Sequence, residues 1–533
     1  MSDENSPFGK SGALGRLHLP RRSLLKSGIA AGLTLGSGLL GGLAVSSSLQ
    51  AAEPTRGKTL RLAYTSGTVR ESLDPAKASM GNDSIYCANI YDRLIRIEND
   101  FTVSPELAEK CTANVEGSAW TFVLRDGLKF SDGSPLTTED VAFSFARVLD
   151  KATASPGLGA LSQTLDRSGI DIRDPRTIVF KLKGTNSQFP LLVATRNFAI
   201  VKKGTTDFTV ETAIGSGPFK LTRFVAGESW EMVRNEHYWR AGLPYLDGIR
   251  QVNIVEPATL IQSLLSGQSD VIGQVGPAQA KQVEGAAGAK LVSSPNSGFM
   301  YVVMDLTQAP FSDPRVVKAV KMAVDRQVLL NLVFQGYGTL TSDVNIWPTH
   351  PSYPPKLGIR TQDIEKSRQL LAEAGHPDGI DLELYTSPSL AGMVEMATAF
   401  AEIVRPAGFR VSIKQENPGV YWSQVWQTKP MYVSYSGTRP PVATLSNLYS
   451  TTPAYAETKI NNKEIDNLLA QVRNSLDAQK QNELLQSAWG IVADEAGASI
   501  SFALNVLWGM QKTVQGVKTH TEDNLQFHEA YIA

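Results

Sequence analysis

Hydrophobic and polar positions alternate along this chain with two periods. Trp120 to Leu124 is a short run of β-favouring residues followed by a turn at Arg125-Asp126-Gly127, and a hairpin is the local form it predicts. A second turn at Ser131-Asp132-Gly133-Ser134-Pro135 leads to Thr137 or Thr138, either of which can cap a helix whose apolar stripe is Val141, Phe145, Val148 and Leu149. Lys58 to Tyr64 reads as the first strand, and Thr177 onward, after the turn Asp174-Pro175-Arg176, as another with period-two alternation. Leu260 to Leu265 reads as a helix stopping at Gly267, with a strand after it. Asp313 and Pro314 open a further helix with the stripe Val316, Val320, Ala323 and Val324. Strand-like and helical segments continue to alternate to about residue 507, which predicts an α/β chain.

Composition adds bounds rather than detail. A chain of 533 residues with 42% apolar and 19% charged residues is soluble and globular, and too long for one compact domain. Its 51 basic and 52 acidic residues suggest neither nucleic acid nor an anionic membrane surface as a partner. With Cys87 and Cys111 as the only cysteines, a disulfide scaffold and a four-cysteine metal site are both excluded. The two could form one bridge in an oxidising compartment or remain buried thiols.

Residues 1–52 stand apart. Arg21-Arg22-Ser23-Leu24-Leu25-Lys26 precedes a weakly apolar stretch from Ser27 to Val45 that holds six glycines, too few hydrophobic residues for a stable anchor. The segment resembles a twin-arginine export signal, with Pro20 and Leu49-Gln50-Ala51 as departures from the ideal. Gly36 to Gly41 formally spells GxGxxG, but no strand precedes it and no acidic partner follows. No cysteine lies near the expected cleavage point, so lipid anchoring is not expected. Removal of the segment leaves 46 basic and 50 acidic residues.

Several strings then carry a family resemblance: Tyr91-Asp-Arg-Leu94, Pro105-Glu-Leu-Ala-Glu109, Trp120 through Val141, Gly215-Ser-Gly-Pro218, Arg234-Asn235 with Tyr238-Trp239, and the Pro314, Arg315, Asp325-Arg326 pattern. Together they resemble the bacterial extracellular solute-binding proteins of family 5, receptors of ABC importers for dipeptides, oligopeptides, nickel and opines, over nearly all of 56–533. The resemblance implies a periplasmic-binding-protein fold with two main lobes around a ligand cleft and a small additional α/β lobe. Lobe I is expected at 53–88, 214–297 and 508–533, the additional lobe at 89–213, and lobe II at 298–507. Crossing segments are expected near Ser294–Phe299 and Leu504–Met510.

The same resemblance makes Pro430 to Pro440 a ligand-facing strand and loop. Peptide-binding members usually carry an aspartate soon after it, for the ligand's α-amine; here no Asp or Glu occurs between Met431 and Ala456, and Glu457 is the first. Arg439 stands there instead, a planar fork suited to carboxylate or phosphate, or else a partner for Glu457 in a structural ion pair. Ser434, Ser436 and Thr438 add neutral donors and acceptors, and Tyr435 lies among them. Trp422 shares a helical face with Trp426 and is an aromatic candidate for the cleft wall. Tyr64, Ser66 and Arg70 at the end of the first strand, and Asn296 in the first crossing segment, complete the candidates.

No catalytic residue is assigned, because Gly-x-Ser-x-Gly, His-Glu-x-x-His and a P-loop are all missing, and a hydrolase is the weaker reading. His237, His350, His376 and His520 form no ligand-spaced cluster, so no metal or cofactor is expected to be held directly. The expected function is capture of a peptide-like or anionic solute in the periplasm by lobe closure, with an ABC permease and its ATPase and the twin-arginine machinery as partners and a monomer as the working form. A sensor or a metallophore or nickel-chelate binder is the alternative.

Overall fold

The computed structural model describes residues 54–65, 71–79, 81–520 and 524–533. Arg21 and Arg22, together with Ser66 and Arg70, lie outside the described residues. β1 (Thr59–Tyr64) is followed by α1 (Gly81–Ile90). Next come β2 (Ala108–Ala113), β3 (Ala119–Leu124), α2 (Thr138–Val148), β4 (Ile170–Ile172) and β5 (Thr177–Lys181). The four strands form an antiparallel sheet in the order β2-β3-β5-β4. Thr137 caps α2, and Asp140 completes a capping box by accepting from the Thr137 N–H at 2.8 Å. That fixes the helix start so that Val141, Phe145 and Val148 are buried, with Phe145 4.5 Å from Phe180 of β5.

The hairpin expected after Leu124 does not form. β3 is a central strand with β2 on one edge and β5 on the other, so neither edge is left for the segment beyond Gly127. That segment instead closes a tight loop through a single bridge between Lys129 and Pro135 and buries Leu128 and Phe130.

The main sheet is built from β1, β6 (Phe219–Val225), β7 (Ser229–Arg234), β8 (Gly248–Asn253), β9 (Val271–Ile272), β10 (Ala289–Met304), β11 (Ile380–Thr386), β12 (Phe409–Gln415), β13 (Met431–Gly437) and β14 (Phe502–Gln511). Their order is β12-β11-β13-β10-β14-β9-β1-β8-β7-β6. β1 pairs in parallel with both neighbours; Leu60 and Leu62 to Tyr64 are buried, while Thr59 and Arg61 at its start are exposed. The α3 helix (Pro257–Leu265) ends before Gly267, whose φ is +74°, and α4 (Pro314–Ala323) is capped by Asp313. Entry into β6 requires glycine: a Cβ at Gly215 would lie 2.0 Å from the Ile90 carbonyl oxygen, and one at Gly217 2.8 Å from it.

β10 and β14 are the long antiparallel pair at the middle of this sheet. Their register runs from Ala289↔Gln511 to Phe299↔Ala503, with an irregularity between Ser294 and Gly298. Pro295 cannot donate to the ladder, and Asn296 takes φ +56°, a left-handed conformation that asparagine tolerates well. The result is a bulge where the chain passes from one half of the sheet to the other.

One hydrophobic cluster joins residues from 94–200 to residues from 299–504. A second packs β1 and α1 with Trp508 and Met510 of β14. Residues distant in sequence also touch at the surface of the first cluster. Phe101 lies 5.8 Å from the rings of both Trp347 and His350, and the Ser187 N–H donates to the Arg473 carbonyl at 2.9 Å. Among the described residues no helix is long and apolar enough to cross a membrane.

Candidate functional site

β13 lies against β10, pairing Ser434 with Tyr301, Tyr435 with Met300, Ser436 with Phe299 and Gly437 with Gly298. The period-two pleat turns Ser434 and Ser436 to one face and Tyr435 to the other. Ser434 is fully buried and donates to Glu457 Oε1 at 2.9 Å. Trp426 Nε1 donates to the same oxygen at 2.7 Å, and the Tyr301 hydroxyl to Oε2 at 2.8 Å. Glu457 is 4% exposed. Burial pushes its carboxyl above the ordinary range, against the pull of these donors and of Arg439. Ser436 is also buried, its hydroxyl donating to the Gly437 carbonyl at 3.2 Å.

Arg439 follows on the loop after β13 and is part-exposed. Among the described residues its guanidinium forms no salt bridge, so the ion pair with Glu457 is not made. It lies 5.9 Å from the ring of Tyr455. Tyr455 is 5.7 Å from Trp426, which is 6.1 Å from Trp422. Trp422 lies on α5 (Pro418–Gln424), and Trp422 and Tyr435 are each 37% exposed, unusual for large aromatics in this chain. The arrangement is an aromatic row with a cation at one end.

The bulge in β10 meets the same loop. Thr438 Oγ1 donates to the Asn296 carbonyl at 2.5 Å, and the Asn296 N–H donates to Asn505 Oδ1 of β14 at 3.3 Å. Asn296 Oδ1 is a buried acceptor with no donor among the described residues. From the other half of the sheet, Tyr64 at the end of β1 is buried and stacks on Trp508 with centroids 6.0 Å apart. Its hydroxyl accepts from Gln274 Nε2 at 3.0 Å, and Trp508 Nε1 donates to Ser294 Oγ at 3.1 Å, tying β1 to the bulge. On the neighbouring β8, Gln251 Oε1 and Asn253 Nδ2 are further buried amide atoms without partners among the described residues.

The fold therefore brings Asn296, Thr438, Arg439 and Tyr435 to one junction, links Tyr64 to it through Trp508, and turns Ser434 and Ser436 inward. Asn505, Tyr455 and Gln274 belong to this neighbourhood and escaped the sequence reading. A lone asparagine in the apolar run Phe502 to Trp508 was the available signal for the first; the other two sit in unremarkable loop sequence. Cys87 on α1 and Cys111 on β2 are both buried, in different hydrophobic clusters, and burial pushes the Cys111 thiol well up. A surface cavity of about 570 Å³ near Asp74, Phe143, Arg147 and Arg167 includes none of the candidates, and its two arginines are paired to Asp74 and Asp150.

The chain is similar to known proteins along most of its length. It is 26% identical over 488 residues to a glutathione-binding protein, GsiB, of Salmonella paratyphi A, covering 86% of this chain and 91% of that one. The ABC transporter substrate-binding protein CtaP of Listeria monocytogenes superposes with a TM-score of 0.80 at 20% identity, covering 90% of this chain and all of that one. The periplasmic binding protein DppA of Helicobacter pylori, solved with the peptide STSA, gives 0.71 at 21% identity, covering 90% and 98%. These likenesses give the chain a periplasmic-binding-protein fold. The model of the bacterial extracellular solute-binding proteins, family 5, matches residues 102–456, about two thirds of the sequence. On that match and that fold, the chain belongs to the bacterial extracellular solute-binding proteins of family 5.

Proposed function

We propose that this chain is the periplasmic receptor of an ABC importer and captures a peptide-like solute bearing an anionic group. The observation that carries the anionic part is Arg439: a part-exposed guanidinium without a salt bridge among the described residues, at the end of an aromatic row and beside the bulge where the sheet crosses. A guanidinium fork with donors to spare can bind carboxylate bidentately. The glutathione-binding relative and the peptide-bound neighbour in the fold are consistent with a peptide-like ligand.

On this reading residues 298–507 form one lobe, and 53–88, 214–297 and 508–533 the other, with 89–213 as an additional lobe. Closure brings the ligand against both sides, and the contacts of Phe101 with Trp347 and His350 and of Ser187 with Arg473 hold the closed form. The closed shape is what the permease recognises, while a separate subunit hydrolyses ATP. Export through Arg21 and Arg22 by the twin-arginine machinery and a monomeric working state complete the proposal.

Titration calorimetry of the mature chain with glutathione and with short peptides tests it. Arg439→Ala is expected to weaken binding of the ligand found by about 10- to 100-fold, the range of a charged hydrogen-bonded pair. Unchanged affinity in Arg439→Ala would remove the anion role.

A further inference from the structure

We infer that the additional lobe is a latch: on closure its Ser187 caps the C-terminal end of a lobe II helix, and this contact holds the lobes together and slows release of a solute it does not touch. The inference rests on the lobe-closure reading above and gives residues 89–213 their part in it.

The helix is α6 (Lys463–Arg473). The last carbonyls of a helix lack donors within it and must find them elsewhere. Here the Ser187 N–H donates to the Arg473 carbonyl at 2.9 Å, and Ser187 Oγ donates to the Val472 carbonyl at 2.9 Å. Beside them Gln188 Nε2 donates to Gln481 Oε1 at 3.3 Å. Leu476, just beyond α6, lies over Gly117, where an added Cβ would stand 3.4 Å from the leucine side chain. The contact is therefore polar at the helix end, with an apolar stop next to it.

The donors are fixed before closure. The Asn186 N–H donates to the Gly117 carbonyl at 3.0 Å, the Asn186 carbonyl accepts from Trp120 Nε1 at 3.1 Å, and Asn186 Oδ1 accepts from the Gln188 N–H at 3.0 Å. These bonds pin the Ser187 loop to the turn between β2 and β3, so closure orders no new segment. The additional lobe is in turn tied to lobe I. Arg147 pairs with Asp74 at 2.6 Å, Asn197 Nδ2 donates to the Ala78 carbonyl at 3.0 Å, and the Ser131 N–H donates to the Gly215 carbonyl at 2.8 Å. It travels with lobe I, and parting the two main lobes breaks its contacts with α6.

In the open form water hydrates both partners, so each hydrogen bond contributes only its modest net excess over hydration. That strength suits a latch: enough to populate the closed form with the cleft empty, too little to prevent opening. Ser187, Gln188, Val472 and Arg473 are not candidate ligand residues, so latch and solute add to closure separately.

Single-molecule FRET reads the latch directly, with a dye on one introduced, exposed cysteine in the additional lobe and another in lobe II; Cys87 and Cys111 are buried. With the cleft empty, the mature chain is expected to visit a closed state. Its dwell time should fall about fivefold in Ser187→Gly, which keeps the N–H and loses the hydroxyl. In Ser187→Asp, which sets a carboxylate against the negative end of α6, it should fall about 30-fold. Leu476→Ala shortens it from the other side of the contact, so the result does not depend on the variants at 187 folding. Release of glutathione, the probe in stopped flow, speeds up by the same factors. An unchanged dwell time in Ser187→Asp and Leu476→Ala, or no closed state in the empty receptor, overturns the inference. Unchanged release from a variant with a shortened dwell time overturns the effect on release. Glutathione that does not bind, while the dwell times fall as expected, leaves the latch standing and removes glutathione as the ligand.

Discussion

Arg439 makes no salt bridge among the described residues, so Arg439→Ala should leave the fold almost untouched, with a change of about 0.5 kcal/mol or less in chemical denaturation. A larger loss would show that the guanidinium holds structure rather than waits for an anion. The identity of this residue and the missing acid around it were legible in the sequence. The placement of Ser434 and Ser436 was not. Their shared parity along β13 could be read from the pleat, but which face is buried depends on Glu457, 23 residues beyond Ser434, folding beneath the strand. Asn296 was named only as part of a crossing segment; that its Oδ1 is buried with no hydrogen-bond partner among the described residues is a matter of tertiary structure.

At the scale of elements, local chemistry proved sufficient. The capping box of α2 makes Thr137→Ala cost about 1 kcal/mol, measured by denaturant unfolding, and Thr137→Ser should restore most of it. At the entry to β6, Gly215→Ala places a Cβ against the Ile90 carbonyl and is expected to destabilise by roughly 1–3 kcal/mol, the cost of overpacking; a neutral outcome would mean the backbone shifts freely there. The starts of α2 and α4, the stop of α3 and the strand at β1 depend on residues within a turn or two, so pattern and caps define them. The expected hairpin failed for the opposite reason. Both edges of β3 are claimed by strands whose pairing a local turn signal does not report.

Across the whole molecule, the contact of Phe101 with Trp347 and His350 gives a pH dependence. Burial pushes the His350 imidazole from its ordinary 6.5 down to about 4, with Asp100 acting in the other direction. Between these values an unfolded or separated form takes up a proton that the packed form refuses. Stability is therefore complete above pH 6.5 and is lost as pH falls through about 4, by roughly 3 kcal/mol in total. His350→Gln should flatten the dependence of the denaturation midpoint between pH 4 and 6.5; an identical slope in the variant would count against this assignment. Small-angle scattering with saturating ligand should show compaction from an open form, and destabilising the Phe101 contact at low pH should oppose it.

The sequence by itself determined the family, through motifs spread along the chain, and the local elements, whose signals lie within a few residues of each other. Tertiary structure decided the site. The Asn296 hydrogen bonds reach Thr438 and Asn505, 142 and 209 positions away, and Glu457 is drawn under β13 by donors from three separate segments. Pairings of that range are set by strand order and register in the sheet, and no period in the chain encodes them.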